Sequence, residues 1–121
     1  MLIVDDEAII CSLLQDYLEE SGYNVTTAQT LSLARDQMAP AELPDVVVLD
    51  MSLPDGSGMT LLQEIRADDR TKNIPIILMT AHSSHKVEQA TLGQKPNDLL
   101  MKPFNLKDFK RRLDLQIETC R

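Results

Sequence analysis

Four short apolar runs, Met1–Val4, Val46–Leu49, Ile76–Met79 and Leu99–Met101, are each followed directly by a polar residue. A run that is apolar at every position, and only three or four residues long, fits a strand covered on both faces. The segments between the runs carry helical spacing. From Glu7 to Ser21, the residues Ile10, Leu13, Leu14, Tyr17 and Leu18 recur on one face, and Gly22 stands where a helix would stop. Asn24 to Thr27 is a short β-rich segment, followed by a predicted helix from Thr30 to Met38 with Thr30 as its cap and Leu31, Ala34 and Met38 on one face. Pro40 and Pro44 bracket the return to the sheet, and Leu61, Leu62 and Ile65 mark the next helix. Ser84 to Leu92 is weakly amphipathic, and Leu106 to Ile117 closes the chain with Leu106, Phe109, Leu113 and Ile117 inward. This alternation predicts right-handed βαβ units in an α/β fold: a doubly wound, five-stranded parallel sheet with five helices.

The polar residues that end the runs are Asp5 and Asp6, Asp50, Thr80 and Lys102. In an open parallel sheet, ligands bind in the crevice beyond the carboxyl ends of the strands, so these side chains are expected to share one pocket. Like charges about 4 Å apart repel by roughly 1 kcal/mol in water and roughly 4 kcal/mol at an effective dielectric near 20, so clustered carboxylates call for a cation. A hard ion bound through oxygens, Mg²⁺, suits an Asp pair beside a third Asp better than zinc does. Carboxylates form acyl phosphates, and a hydroxyl and an ammonium are suitable donors to phosphoryl oxygens. The residues alone point to Mg²⁺-assisted phosphoryl transfer onto Asp50.

A chain of 121 residues that is 43% hydrophobic can bury one core, and residues 1–121 are read as a single domain. The net charge of −7 argues against direct nucleic-acid binding. No apolar run approaches the roughly 20 residues of a membrane span, and no basic stretch precedes an apolar one as in a signal peptide, so the expected location is the cytoplasm. Cys11 and Cys120 have no metal or disulfide pattern and are expected to be reduced thiols. His82 and His85 are expected in an exposed loop or helix start.

The chain resembles the receiver domain of bacterial two-component response regulators. The resemblance rests on Asp5-Asp6-Glu7, on the stretch from Val48 through Asp50, Pro54, Asp55 and Gly56 to Gly58, on Met79-Thr80-Ala81, and on Met101-Lys102-Pro103-Phe104, in that order along nearly the whole chain. It implies a flavodoxin-like fold with strand order 2-1-3-4-5. It also implies that Asp50 accepts a phosphoryl group from a sensor histidine kinase, a histidine phosphotransfer protein or a small phosphodonor. Mg²⁺ would be held by the Asp6 and Asp50 carboxylates, by Asp5 through water and by the backbone carbonyl of Ser52. Lys102, the Thr80 hydroxyl and the Ala81 amide would meet the phosphoryl oxygens. The surface of the fourth helix, fifth strand and fifth helix would then repack against an output domain or partner protein, with homodimer formation on phosphorylation among the outcomes. Such a domain is not an enzyme in the metabolic sense; it catalyses its own phosphoryl transfer and slow dephosphorylation.

Two departures bear on output. Leu99 stands where receivers usually carry Tyr or Phe, and Lys95-Pro96-Asn97 replaces the common Gly-Ala-Asp. A smaller or differently routed change is therefore expected there. Simpler readings stand beside each residue: helix capping for Asp5 or Asp6, a turn for Asp50 and Asp55, a β-former for Thr80, a solvated lysine for Lys102. At the level of the whole chain the alternatives are an unphosphorylated receiver-like interaction module and a Mg²⁺-dependent phosphohydrolase. The haloacid-dehalogenase type of phosphohydrolase needs an Asp where this chain has Ser52.

Overall fold

The computed structural model describes residues 1–39, 43–80, 98–101 and 105–119, the side chains of 117–119 excepted. The strands are β1 (Leu2–Val4), β2 (Thr26–Ala28), β3 (Val47–Asp50), β4 (Ser52–Leu53), β5 (Gly56–Ser57), β6 (Ile76–Thr80) and β7 (Asp98–Met101). The helices are α1 (Ala8–Glu20), α2 (Leu31–Met38), α3 (Gly58–Ala67) and α4 (Leu106–Thr119). Five strands form one sheet in the order β2-β1-β3-β6-β7, and every pairing in it is parallel. This is the flavodoxin-like order that the family resemblance implies, renumbered because β4 and β5 pair antiparallel in a small hairpin of their own. Of the five predicted helices, the one at Ser84–Leu92 lies outside the described residues.

The period of two along each strand divides the core. Leu2, Val4, Val47, Leu49, Ile76 and Leu78 pack against the buried faces of α2 and α3, among them Ala34, Met38, Leu62 and Ile65. Ile3, Val46, Val48, Ile77 and Met79 face the other way, against Cys11, Leu14 and Leu18 of α1 and Phe109 and Leu113 of α4. Side chains on successive strand residues point to opposite faces, so an all-apolar run feeds both layers at once. Each fully buried aliphatic or aromatic side chain contributes roughly 1.5–3 kcal/mol through removal from water.

Local signals set the helix ends. The Thr30 hydroxyl accepts from the Leu33 amide at 3.1 Å, the cap expected for α2. At the end of α1, Gly22 adopts φ +95°. Its amide donates to the Glu19 carbonyl and the Tyr23 amide to the Leu18 carbonyl, both at 3.0 Å. That is a Schellman closure, which needs a residue free to enter the left-handed region.

Three expectations require correction. The second strand is Thr26–Ala28 rather than Asn24–Thr27, because its extent is set by β1: Leu2, Ile3 and Val4 pair with Thr26, Thr27 and Ala28. Leu13 is 52% exposed, while Cys11, Leu14 and Leu18 supply the buried stripe of α1. Each residue turns an α-helix by about 100°, so Leu13 is rotated off the face that the sheet covers. The segment around Asp55, expected only as a turn, is the tip of the β4–β5 hairpin.

Candidate functional site

Strand register brings the acidic residues together. β1 and β3 are neighbours with Val4 opposite Leu49, so Asp5 and Asp50 leave the same edge of the sheet side by side. Neighbouring strands lie about 4.8 Å apart, which fixes the scale of the site. Asp5, Asp6 and Asp50 each offer a carboxylate oxygen, and these oxygens lie within 4.8 Å of one another. Asp5 is fully buried, Asp50 is 5% exposed, and Asp6 faces solvent.

Each acid is held by its surroundings. The Asp5 carboxylate accepts from the Glu7 amide at 2.9 Å, and the Asp5 carbonyl accepts from the Cys11 thiol at 3.3 Å. The Asp5 side chain therefore holds the turn that leads into α1 without capping the helix, whose N-cap is Glu7, while still reaching the cluster. Asp50 is the last residue of β3, opposite Met79, and one of its carboxylate oxygens lies 3.4 Å from the Ser52 amide. The next residue, Met51, is clamped through its backbone: its amide donates to the Met79 carbonyl at 3.0 Å and its carbonyl accepts from Gly58 at 2.7 Å. A Cβ on Gly58 would lie 2.1 Å from the Asp50 carbonyl oxygen. Only glycine lets the start of α3 approach β3 so closely.

Thr80 ends β6 and is 1% exposed. Its hydroxyl donates to the Met51 sulfur at 3.4 Å. Thr80 lies opposite Met101, the last residue of β7, so both strands end at the same edge of the sheet. Lys102 and the Ala81 amide, both expected here, lie outside the described residues, as do His82 and His85. Leu99 is half-buried and packs on the α2 and α3 side of the sheet. Its carbonyl accepts from Arg112 at 3.3 Å, and the same guanidinium reaches Asp98 at 2.8 Å and Asp108 at 3.0 Å. The hydrogen bonds from Arg111 and then Arg112 hold the Asp108 carboxyl below its usual value. β7 and α4 are thus tied together by charge beside the Leu99 position.

Three residues near the site were not assigned these contacts from sequence. Asp55, read only as a turn, accepts from the Leu31 amide at 2.8 Å and from the Ser32 amide at 3.1 Å, capping α2 from across the hairpin. The Leu31 hydrogen bond leads the effects that lower the Asp55 pKa. Met51 and Gly58 belong to the motif already noted, but their contacts depend on β6 and on the approach of α3. No local signal in the sequence could have revealed those partners.

The described cluster contains carboxylate oxygens and neither nitrogen nor sulfur ligands. Such a donor set suits a hard divalent cation. No helix among the described residues is long and apolar enough to cross a membrane.

Comparison with known proteins agrees with this geometry. The model of the response regulator receiver domain matches residues 1–114. The chain is 35% identical over 113 residues to the transcriptional regulatory protein KdpE of Staphylococcus aureus, covering 93% of this chain and 47% of that protein. It is 34% identical over 115 residues to the phosphate regulon transcriptional regulatory protein PhoB of Pseudomonas aeruginosa, covering 93% and 49%. It therefore spans about half the length of the curated relatives it matches. Among solved structures, the non-phosphorylated HemR receiver domain from Leptospira biflexa superposes with a TM-score of 0.86 at 33% identity, covering 96% of this chain and 91% of that one. A CheY-like response regulator receiver domain protein from Methanospirillum hungatei gives a TM-score of 0.90 at 25% identity, covering 98% and 93%. With a family match over residues 1–114 laid on a sheet of the order β2-β1-β3-β6-β7, this chain belongs to the receiver domains of two-component response regulators.

Proposed function

We propose that the domain is a phosphorylation-controlled switch in which Asp50 is the phosphoacceptor. The observation that carries this reading is the placement of Asp50, 5% exposed, at a sheet edge where its carboxylate meets those of Asp5 and Asp6 within 4.8 Å. One Asp50 oxygen forms the new O–P bond as the P–N bond of a phosphohistidine breaks, the electron pair returning to the imidazole nitrogen. The donor would be a sensor histidine kinase or a histidine phosphotransfer protein. Mg²⁺, when bound, supplies charge neutralisation for three carboxylates and an incoming phosphoryl group. Asp6, Asp50 and the Ser52 carbonyl would hold it directly, and Asp5 through water. The Thr80 hydroxyl, the Ala81 amide and Lys102 would bind the phosphoryl oxygens.

The signal would leave through the face made by the segment after β6, by β7 and by α4. There Leu99 in place of an aromatic residue, and the Arg112 ties between β7 and α4, favour a small or differently routed rearrangement. Residues 1–121 act as one receiver unit in the cytoplasm in this reading. The relatives named as transcriptional regulatory proteins, matched over about half their length, support an output carried by another segment or another protein. Homodimer formation on phosphorylation is one such output. The net charge of −7 favours protein contact over nucleic acid for this domain.

The test is the intact mass of the protein after incubation with acetyl phosphate and Mg²⁺, beside Asp50→Asn. A single Mg²⁺-dependent phosphate adduct, absent from the variant, is the expected result. No adduct on folded, Mg²⁺-binding protein, or an adduct that persists in Asp50→Asn, would overturn the assignment, and the first outcome would favour an unphosphorylated interaction module.

A further inference from the structure

The β4–β5 hairpin is fastened at its base and at its tip. At the base, the Ser57 hydroxyl accepts from the Met59 amide at 3.1 Å and so caps α3, while the Gly58 amide donates to the Met51 carbonyl at 2.7 Å. At the tip, the Asp55 carboxylate accepts from the Leu31 amide at 2.8 Å and the Ser32 amide at 3.1 Å. Ser52, whose carbonyl is proposed to hold Mg²⁺, lies in the arm between these fastenings. We propose that Asp55 is a positioning residue: by pinning the hairpin tip to the start of α2, it steadies the backbone at Ser52 and so sets the affinity of the site for Mg²⁺. The inference rests on the metal-site reading of Asp5, Asp6, Asp50 and Ser52.

A ligand supplied by a backbone carbonyl is aimed only by the backbone that carries it. Here that backbone belongs to a ladder of two pairs, Ser52 opposite Ser57 and Leu53 opposite Gly56. A two-stranded hairpin standing alone is marginal at best, so outside contacts decide how firmly it is held. Asp55 supplies such a contact, with each carboxylate oxygen on a different amide.

The start of α2 suits a carboxylate. The first amides of a helix have no partner within it, and their partial positive charge favours an anion. The Thr30 hydroxyl takes the Leu33 amide, which leaves those of Leu31 and Ser32 to Asp55. Packing brings the same two elements together: a Cβ on Gly56 would lie 2.9 Å from the Leu31 Cδ1, and Leu53 packs on the cluster that contains Leu31. Coupling between two sites is reciprocal, so Mg²⁺ that fixes Ser52 also steadies the tip and the two α2 amides bonded to it.

The test is a Mg²⁺ titration of the isotope-labelled full chain followed by amide NMR, with hydrogen exchange read at Leu31 and Ser32 in the presence and absence of Mg²⁺. Asp55→Ala is expected to weaken Mg²⁺ binding about tenfold, the lower end for groups that orient metal ligands without touching the metal. It should also speed exchange at both amides and remove their response to Mg²⁺. Asp55→Asn loses the same charge but keeps one acceptor oxygen, and its expected loss is about threefold, half as large on a logarithmic scale. Native-like Mg²⁺ affinity in Asp55→Ala would overturn the positioning role. An equal loss in both variants would also overturn it, since charge alone would then account for the effect. Exchange at Leu31 and Ser32 that ignores either Asp55→Ala or Mg²⁺ would do the same. A native chain without saturable Mg²⁺ binding, or an Asp6→Asn protein that binds Mg²⁺ as tightly as the native chain, would instead overturn the metal-site reading, and the positioning role with it.

Discussion

Replacing Gly58 by alanine places a methyl carbon 2.1 Å from the Asp50 carbonyl oxygen, 3.0 Å from the Asp50 carbonyl carbon and 3.1 Å from the Met51 Cα. A carbon and a carbonyl oxygen approach no closer than about 3.3 Å even in favourable contacts. Roughly 1.2 Å of relative movement is therefore needed, and all the opposing atoms are backbone. The Gly58 amide is itself bonded to the Met51 carbonyl at 2.7 Å, and Met51 to Met79 at 3.0 Å, so relief must stretch one of these or slide β3 against β6. Overpacking of this kind costs about 1–3 kcal/mol and sometimes more. Alanine returns about 0.5–1 kcal/mol through its better helix propensity. With the contact so far inside van der Waals range, the upper end applies, and the net loss is about 2 kcal/mol. At a urea slope near 2 kcal/mol/M, the unfolding midpoint falls by about 1 M. Because the displaced atoms belong to Asp50 and Met51, Mg²⁺ affinity should fall with stability, by roughly tenfold, as for other changes that disturb the support of metal ligands. Gly22→Ala is the control: nothing lies within 4 Å of the added carbon there, so only the φ of +95° opposes it. That left-handed strain costs about 1–2 kcal/mol, and Mg²⁺ affinity should be unchanged. A Gly58→Ala protein with native midpoint and native Mg²⁺ affinity would refute the close-approach argument.

The Asp55 carboxyl is held below its ordinary value by the amides of Leu31 and then Ser32, so its contribution to stability is full above the unfolded-state value near 3.9 and is lost as pH falls through the lower folded value. Asp55→Asn should flatten that part of the pH dependence, and urea midpoints between pH 5 and pH 2 that fall in parallel for both proteins would refute it. Phe109 is fully buried and Leu13 is 52% exposed. Phe109→Ala should cost about 3–5 kcal/mol and Leu13→Ala no more than about 0.5 kcal/mol, as read by urea unfolding. Asp6→Asn removes one of three clustered charges. In EDTA it should raise stability by up to about 1 kcal/mol, since exposed Asp6 is screened by water, and added Mg²⁺, expected to stabilise the native chain, should stabilise the variant far less. A lower midpoint in EDTA would contradict the repulsion argument.

Much of this architecture is written in local residue order. A run such as Val46–Leu49, apolar at every position, is stable only as a strand with both faces covered, and the structure sends alternate residues of it into the two core clusters. Helical spacing located α1, and Gly22 marked its end, because both signals act over a few residues. The acidic cluster was legible for a related reason: a residue placed just after a parallel strand can only lie at that edge of the sheet, and Asp5, Asp6 and Asp50 do meet there.

What lay beyond the sequence depends on which element sits across from which. The period of α1 does not specify its phase, so Leu13 shares the helical spacing of its neighbours and yet lies exposed, while the position of the sheet turns Cys11 inward. The reach of β2 follows from the short β1 rather than from β propensity at Asn24. Asp55 caps α2, and Met51 meets Thr80, across chain separations that no local pattern encodes. Propensity and periodicity are short-range properties of the chain, whereas register, helix phase and contacts such as that of Thr80 with Met51 are settled only when distant segments pack together.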